Sequence, residues 1–205
     1  ALTAWEVKQD IGDDQQCAVC LCDFDDLEND PPVQFSQCGG HYFHKHCALN
    51  PGMVKGQCLR CPVCKKLYGV QTGAQPSGTM QIQHLPNACE GYPGTGTFVI
   101  DYTFPHGVQV EGMVAPGQSY SGTHRQAFLP DNEEGKQVLG LLKLAFQRGL
   151  LFAVGESITT GRRNTVVWNG VHHKTSMSGG SAAHGYPDPT YFTRVKEELA
   201  ERGVE

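Results

Sequence analysis

The stretch that decides the fold reads CAVC at 17–20, CGGHYFHKHC at 38–47 and CPVC at 61–64. Written as ligands it gives Cys17-x2-Cys20, then Cys38-x2-His41-x2-His44-x2-Cys47, then Cys61-x2-Cys64. Two residues between a pair of donors let a tight turn bring both to one side of an ion, which suits tetrahedral Zn²⁺. The eight donors fill two closed sites of four. A closed site keeps no position open for water or substrate, so both ions are expected to be structural. His46 also stands beside the cluster, and counting alone leaves His44 and His46 as alternatives.

Around this stretch the composition sets limits. A chain of 205 residues holds one or two domains. The zinc segment takes only the first third, too little to fold on an apolar core alone, while the remainder is long enough to bury a core of its own. The formal net charge of -5, the pI near 6.0 and the lack of any Lys/Arg block argue against a generally nucleic-acid-binding surface. Of nine cysteines, six sit in the ligand pattern and Cys22, Cys58 and Cys89 are left over. The odd total, the interleaved histidines and the lack of a signal-peptide pattern point to a reducing compartment. No apolar run approaches the roughly 18 residues of a membrane span. The chain begins at Ala1 without a methionine and is expected to be part of something longer.

Residues 1–16 read as a lead-in, either an ordered edge on the zinc module or a tail. The acidic loop carrying Asp23, Asp25, Asp26, Glu28 and Asp30 lacks the spacing of a calcium loop and reads as solvated. Ala48 to Lys55 is expected to form a short helix, and 68–80, rich in Gly, Gln, Ser and Thr, a linker. Beyond it come strand candidates at Gly96–Phe104, Leu150–Gly155 and Thr165–Trp168. A helix follows Pro130-Asp131-Asn132, its core face made by Val138, Leu141, Leu142 and Ala145. Asp188-Pro189 reads as the cap and first turn of a terminal helix reaching about Arg202. The mixture predicts an α+β domain. Its polar clusters, Ser157 to Arg163, His172-His173-Lys174 and His184 to Pro187, offer donors for an anion and imidazoles for proton transfer. His172 and His173, being adjacent, are expected to point apart.

The ligand order, three cysteines, two histidines, three cysteines, resembles a RING finger. That resemblance implies a cross-brace in which Cys17, Cys20, His44 and Cys47 hold one zinc and Cys38, His41, Cys61 and Cys64 the other. The family spacing, His44-x2-Cys47, favours His44 over His46. RING fingers dock a ubiquitin-loaded conjugating enzyme (E2), which implies an apolar face from Val19, Pro62, Leu49 and Met53, with Lys65 where the family often places a cation that clamps ubiquitin.

Four further stretches, FPHGVQ (104–109), FLPDN (128–132), VVWNGVHHKT (166–175) and HGYPDPTYF (184–192), closely resemble the Deltex C-terminal domain. In the Deltex ubiquitin ligases this domain follows a RING through a segment similar to LYGVQTGAQPSGTM (67–80). The expected architecture is therefore a lead-in at 1–16, a small zinc-stabilised cross-brace RING at 17–67, a linker at 68–80 and an α+β Deltex C-terminal domain at 81–205. The resemblance implies a pocket for ADP-ribose or NAD⁺, with His172, His173 and His184 at pocket positions, Trp168 and Tyr186 as stacking or lining groups, and Ser157, Thr159, Thr160 and Gly161 as the ligand-facing loop. Ile158 stands where the family often has Ser, a departure that bears on one hydrogen bond to the ligand, with Ser157 and Thr159 as its neighbours. Glu198 falls on an acidic position implicated in joining ubiquitin to ADP-ribose, and a His184–Glu198 couple is the expected base.

The function this implies is an E3 ubiquitin transferase with two structural zincs. Its partners are a conjugating enzyme, ubiquitin and protein substrates that include ADP-ribosylated ones, in the cytoplasm or nucleus and within Notch signalling. The competing reading is a non-catalytic scaffold that reads ADP-ribosylated proteins.

Overall fold

A computed structural model describes residues 5–8, 11–12, 15–25, 28–36, 38–50, 54–55, 58–157 and 160–205. The backbone divides into two units, Ala1–Thr72 and Gly73–Glu205. Among the described residues no helix is long and apolar enough to cross a membrane.

The first unit contains little regular structure. Strands β1 (Trp5–Val7), β2 (Pro32–Phe35) and β3 (Tyr42–His44) form an antiparallel sheet in that order, so part of the expected lead-in is an edge strand. Helix α1 (Lys45–Ala48) follows directly, and β4 (Val54–Lys55), β5 (Cys58–Arg60) and β6 (Leu67–Tyr68) make a second small sheet. The helix expected at Ala48–Lys55 is not formed: α1 ends at Ala48, and Val54–Lys55 is strand. The sequence explains this, because Asn50 precedes Pro51 and the proline ring disfavours the α conformation of the residue before it. The apolar centre is small. Val33, Phe35, Phe43, Leu59 and Tyr68 pack among Cys17, Cys38, Cys47 and Cys61, with the Phe35 and Phe43 rings stacked at 4.9 Å. A core of that size needs further crosslinks, and the cysteines at its edges are placed to supply them.

The second unit is built on an antiparallel sheet of β7 (Thr79–Leu85), β8 (Thr97–Phe104) and β11 (Thr123–Pro130), ordered β11-β8-β7. The short hairpin β9 (Gly107–Val108) and β10 (Ser119–Tyr120) lies between β8 and β11 in the chain. On β8 the aromatic and branched residues Ile100, Tyr102 and Phe104 are buried on one face, while Asp101 and Thr103 alternate outward. Helix α2 (Glu133–Gln147) starts immediately after β11. Asn132 caps it by accepting the Gly135 N–H at 2.8 Å, and a Cβ at Gly135 would overlap the Pro130 carbonyl. Its buried face is Val138, Leu139, Leu142 and Ala145, so Leu139 takes the place expected for Leu141, which is half-buried. Strands β12 (Phe152–Gly155) and β13 (Thr165–Trp168) pair as a hairpin, and α3 (Tyr191–Ala200) packs on α2.

Part of the expected linker is not open chain. Tyr68 belongs to β6, while Gly73 donates its N–H to the Arg148 carbonyl and Gln75 accepts from Phe152 N at 3.0 Å. Arg148 also donates to the Gly203 carbonyl at 2.7 Å, so both ends of the second unit are fastened to the turn after α2.

Inside this unit Tyr102, Phe152, Trp168 and His173 form an aromatic cluster, with Trp168 stacked on Phe152 at 4.5 Å and on His173 at 4.1 Å. The Val171 carbonyl can only accept, so Nδ1 of His173 carries the proton and Nε2 accepts from the Tyr102 hydroxyl at 3.1 Å. Burial pushes the His173 pKa down to about 4, against the raising effect of its bond to Val171. Because the folded value lies below the unfolded one, the unfolded chain binds more protons between about pH 6.5 and 4, and stability falls as pH drops through that window. The expected loss is a few kcal/mol for one fully buried imidazole. Urea unfolding followed by Trp168 fluorescence on a Trp5→Phe background should show it, and His173→Asn should flatten this part of the slope.

Candidate functional site

Among the described residues two groups of side chains are placed to hold a metal: Cys17, Cys20, His44 and Cys47, and Cys38, His41, Cys61 and Cys64. In each, the four donor atoms lie within 4.8 Å of one another. The groups interleave along the chain, the first and third ligand pairs making one and the second and fourth the other. A tetrahedral zinc with bonds of roughly 2.0–2.3 Å sets its ligand atoms about 3.3–3.8 Å apart. Here Cys20 Sγ is 3.3 Å from His44 Nδ1, Cys38 Sγ 3.3 Å from Cys64 Sγ, and Cys61 Sγ 3.7 Å from His41 Nδ1. Donor chemistry and spacing are therefore compatible with zinc in both. The surroundings support the ligands: His44 Nε2 is 3.1 Å from the Asp23 carbonyl, the His44 N–H points at Cys17 Sγ, and Tyr68 donates its hydroxyl to Cys38 Sγ at 2.9 Å. His44, not His46, joins the first group. His46 stands next to it, Nε2 at 3.2 Å from Cys47 Sγ and Nδ1 on Asp30, so Asp30 of the acidic loop is engaged rather than merely solvated.

Of the residues expected to face a conjugating enzyme, Val19 and Leu49 are exposed and Pro62 is half-buried, while Met53 lies outside the described residues. Lys65 is exposed with φ +63°, its ammonium donating to the Pro62 carbonyl at 2.6 Å. Leu21 and Val63, which the sequence reading passed over, are also exposed on this unit beside the ligand pairs.

The second unit carries an open cavity of about 230 Å³ lined by His172, His173, Lys174, Ser181, His184, Asp188, Tyr191 and Arg194. His172 and His173 point apart as expected, though from an irregular segment rather than a strand: His172 faces solvent and His173 the core. Glu198 on α3 accepts from both the backbone N–H of His172, at 2.8 Å, and its Nδ1. A carboxylate only accepts, so Nδ1 carries the proton and Nε2 is the ring nitrogen offered to a ligand. Glu198 thus bonds His172, while His184, expected as its partner, lines the same cavity without a hydrogen bond to it. His184 sits on the rim with φ +53°, after a 3₁₀ turn at Ser181–Ala183. The following Gly185 has no room for a Cβ, which would meet the Ser178 carbonyl, so the loop closes only with glycine there.

Beneath these imidazoles lies a buried ion cluster that the sequence did not disclose. Lys174 and Asp188 are each 4% exposed and bond at 2.5 Å. The ammonium also lies over the rings of Tyr186 and Tyr191, at 5.8 and 5.2 Å. Burial alone would raise the Asp188 pKa, but hydrogen bonds from Lys174, Arg194 and Thr190 outweigh it and hold the carboxyl well below the usual range. Asp188 is not the helix cap expected of it: α3 begins three residues later, and its carboxylate accepts from Thr190 N and Oγ1 at 3.2 and 3.0 Å.

Other expected pocket residues fall elsewhere. Tyr186 is fully buried, its hydroxyl donating to the Phe128 carbonyl, and so packs behind Lys174 instead of stacking on a ligand. Trp168 backs His173 in the aromatic cluster. Ser157, Thr160 and Gly161 close the β12–β13 hairpin on themselves, with Thr160 N donating to Ser157 Oγ and Gly161 N to the Ser157 carbonyl, and they do not line the cavity. Thr159 and Ile158 lie outside the described residues.

The family model for the Deltex C-terminal domain matches residues 72–204. A mouse protein named E3 ubiquitin-protein ligase DTX4 is 44% identical over 83% of this chain and 28% of its own length. Human E3 ubiquitin-protein ligase DTX1 is 42% identical over 80% of this chain and 27% of its own. The human protein named Probable E3 ubiquitin-protein ligase DTX3 is 42% identical over 92% of this chain and 52% of its own. The chain therefore spans about a quarter to a half of the relatives it matches. Most of its length being matched by that one domain model, the chain belongs to the Deltex family.

Proposed function

We propose that the chain is a RING-type E3 ubiquitin transferase that recruits a ubiquitin-loaded conjugating enzyme through its first unit and binds ADP-ribose or NAD⁺ in the cavity of its second. The first unit would be a RING with two structural zincs, held by the two interleaved groups of four; the zincs supply crosslinks and no open coordination site. The boundaries that go with this reading are a RING at 17–67 and a Deltex C-terminal domain over the rest, with the linker shortened to the few residues between Tyr68 and Gly73. The observation that carries the enzymatic reading is the Glu198-oriented imidazole of His172 on a cavity that also presents His184.

A neutral ribose hydroxyl is a poor nucleophile, and a base within hydrogen-bond reach is what it needs. With Nδ1 tied to Glu198, His172 accepts the hydroxyl proton at Nε2 while the oxygen attacks the ubiquitin thioester carbonyl. The new C–O ester bond forms, the C–S bond breaks, and the conjugating enzyme's cysteine leaves as thiolate. Glu198 orients the imidazole and stabilises its charged form. His184, on the rim, contacts the ligand. The cavity is smaller than the roughly 300 Å³ at which drug-sized pockets begin, so a dinucleotide-sized ligand would place one end inside and the other along the surface. Protein lysines, including those of ADP-ribosylated targets, would receive ubiquitin by the RING route alone.

Three outcomes test this. Val19→Arg places a charge on the exposed face of the first unit, and should lower discharge of a loaded conjugating enzyme at least tenfold with both units still folded by circular dichroism. Glu198→Ala or His172→Ala should reduce ubiquitin–ADP-ribose ester formation at least a hundredfold while autoubiquitination stays within twofold. Loss of both activities together would contradict the division of labour, and ADP-ribose binding without any discharge would favour the scaffold reading. A zinc chelator should unfold the first unit, read by loss of its near-ultraviolet signal, and leave the Trp168 transition of the second unchanged.

A further inference from the structure

We infer that Arg194 is the anion-recognition residue of the cavity, taking a phosphate group of the bound ligand; this deepens the proposed ADP-ribose reading and rests on it. The charge distribution carries the argument. Three ionised groups meet at the floor: Lys174 and Asp188, sealed at 4% exposure each, and Arg194, 40% exposed. One carboxylate faces two cations, and the sealed ammonium, 2.5 Å from Asp188, satisfies it from within the core. The uncompensated positive charge therefore belongs to the partner that reaches solvent, the guanidinium lining the cavity. Glu198, the other carboxylate bonded at the site, is held by two donors of His172 and not by Arg194.

Arg194 is also held in place. Nη2 donates to Asp188 Oδ2 at 3.1 Å and Nη1 to Thr190 Oγ1 at 3.0 Å, while Thr190 Oγ1 donates onward to Asp188 Oδ1. These bonds use two of the five N–H donors of a guanidinium and fix its plane. The donors that remain meet an oxygen-rich anion without further loss of side-chain freedom, which is how a preorganised fork gains affinity. A phosphate offers two oxygens at the spacing of that fork. Neutral nucleosides offer nothing comparable, so Arg194 would discriminate between a phosphorylated ligand and its uncharged parent.

The test is calorimetric titration of the full chain and of Arg194→Gln and Arg194→Lys with ADP-ribose and, separately, inorganic diphosphate, at two salt concentrations. The expected result is at least tenfold weaker ADP-ribose binding by Arg194→Gln with a shallower salt dependence, in a variant that remains folded by circular dichroism. Arg194→Lys, which keeps the charge and loses the planar fork, should be intermediate, and it decides the matter if the glutamine variant unfolds: affinity equal to the parent's would then overturn the inference. Equal affinity of the parent and Arg194→Gln for ADP-ribose overturns the inference and leaves the proposed function standing. If the parent binds no ADP-ribose, the reading of the pocket fails, and diphosphate decides. Binding lost in Arg194→Gln supports an anion site; binding by neither protein overturns it.

Discussion

A carboxylate taken out of water has to be surrounded by donors, and Asp188 has four: the Lys174 ammonium, the Arg194 guanidinium, and the Thr190 N–H and hydroxyl. Each comes from a part of the second unit that must be brought to one place. Lys174 belongs to the irregular segment after β13, Thr190 to the turn before α3, and Arg194 to its first turn. The same segment is pinned to the sheet by the Phe128 N–H, which donates to the Lys174 carbonyl, and Tyr186 donates its hydroxyl to the carbonyl of the same residue. The buried pair thus sets where the cavity walls stand. Removing one partner of such a pair leaves an uncompensated charge in the core, at a cost of about 3–5 kcal/mol. Its value to the protein lies in where it holds Arg194, His172 and His184 as much as in stability.

The first unit meets the opposite problem. It has too few apolar residues to close a core, and its small centre is completed by ligand cysteines whose sulfurs are met by a Tyr68 hydroxyl and by backbone N–H groups. One unit is organised by a sealed ion pair within a substantial core, the other by thiol and imidazole clusters around a minimal one. Both solutions concentrate polar atoms where the backbone alone would leave the chain unfixed.

How much of this was legible depended on range. The donor pairs could be read because each has a fixed two-residue spacing, while their grouping into two sets of four rested on the resemblance to a RING finger. Strand β8 and helix α2 could be read from local patterns, although the helix was rotated enough for Leu139 to replace Leu141 in the core. Strand β11, with His124, Arg125 and Gln126 exposed, has the composition of a loop and becomes a strand only because β8 pairs along its length. The Lys174–Asp188 pair and the His172–Glu198 pair join residues 14 and 26 positions apart, and neither partner carries a local sign of the other. By local pattern Glu198 is one more helical glutamate beside Glu197, and only the family resemblance singled it out. Only the docking of α3 puts it under His172, to which it is bonded.

The turn after α2 has a consequence of its own. The Arg148 carbonyl accepts the first N–H of the second unit, from Gly73, and its guanidinium donates to the Gly203 carbonyl near the far end. Entry and exit of that unit therefore share one mooring. Such a unit works as an insertable cassette: its two ends leave side by side, so a protein can carry it between other modules without stretching the chain around it.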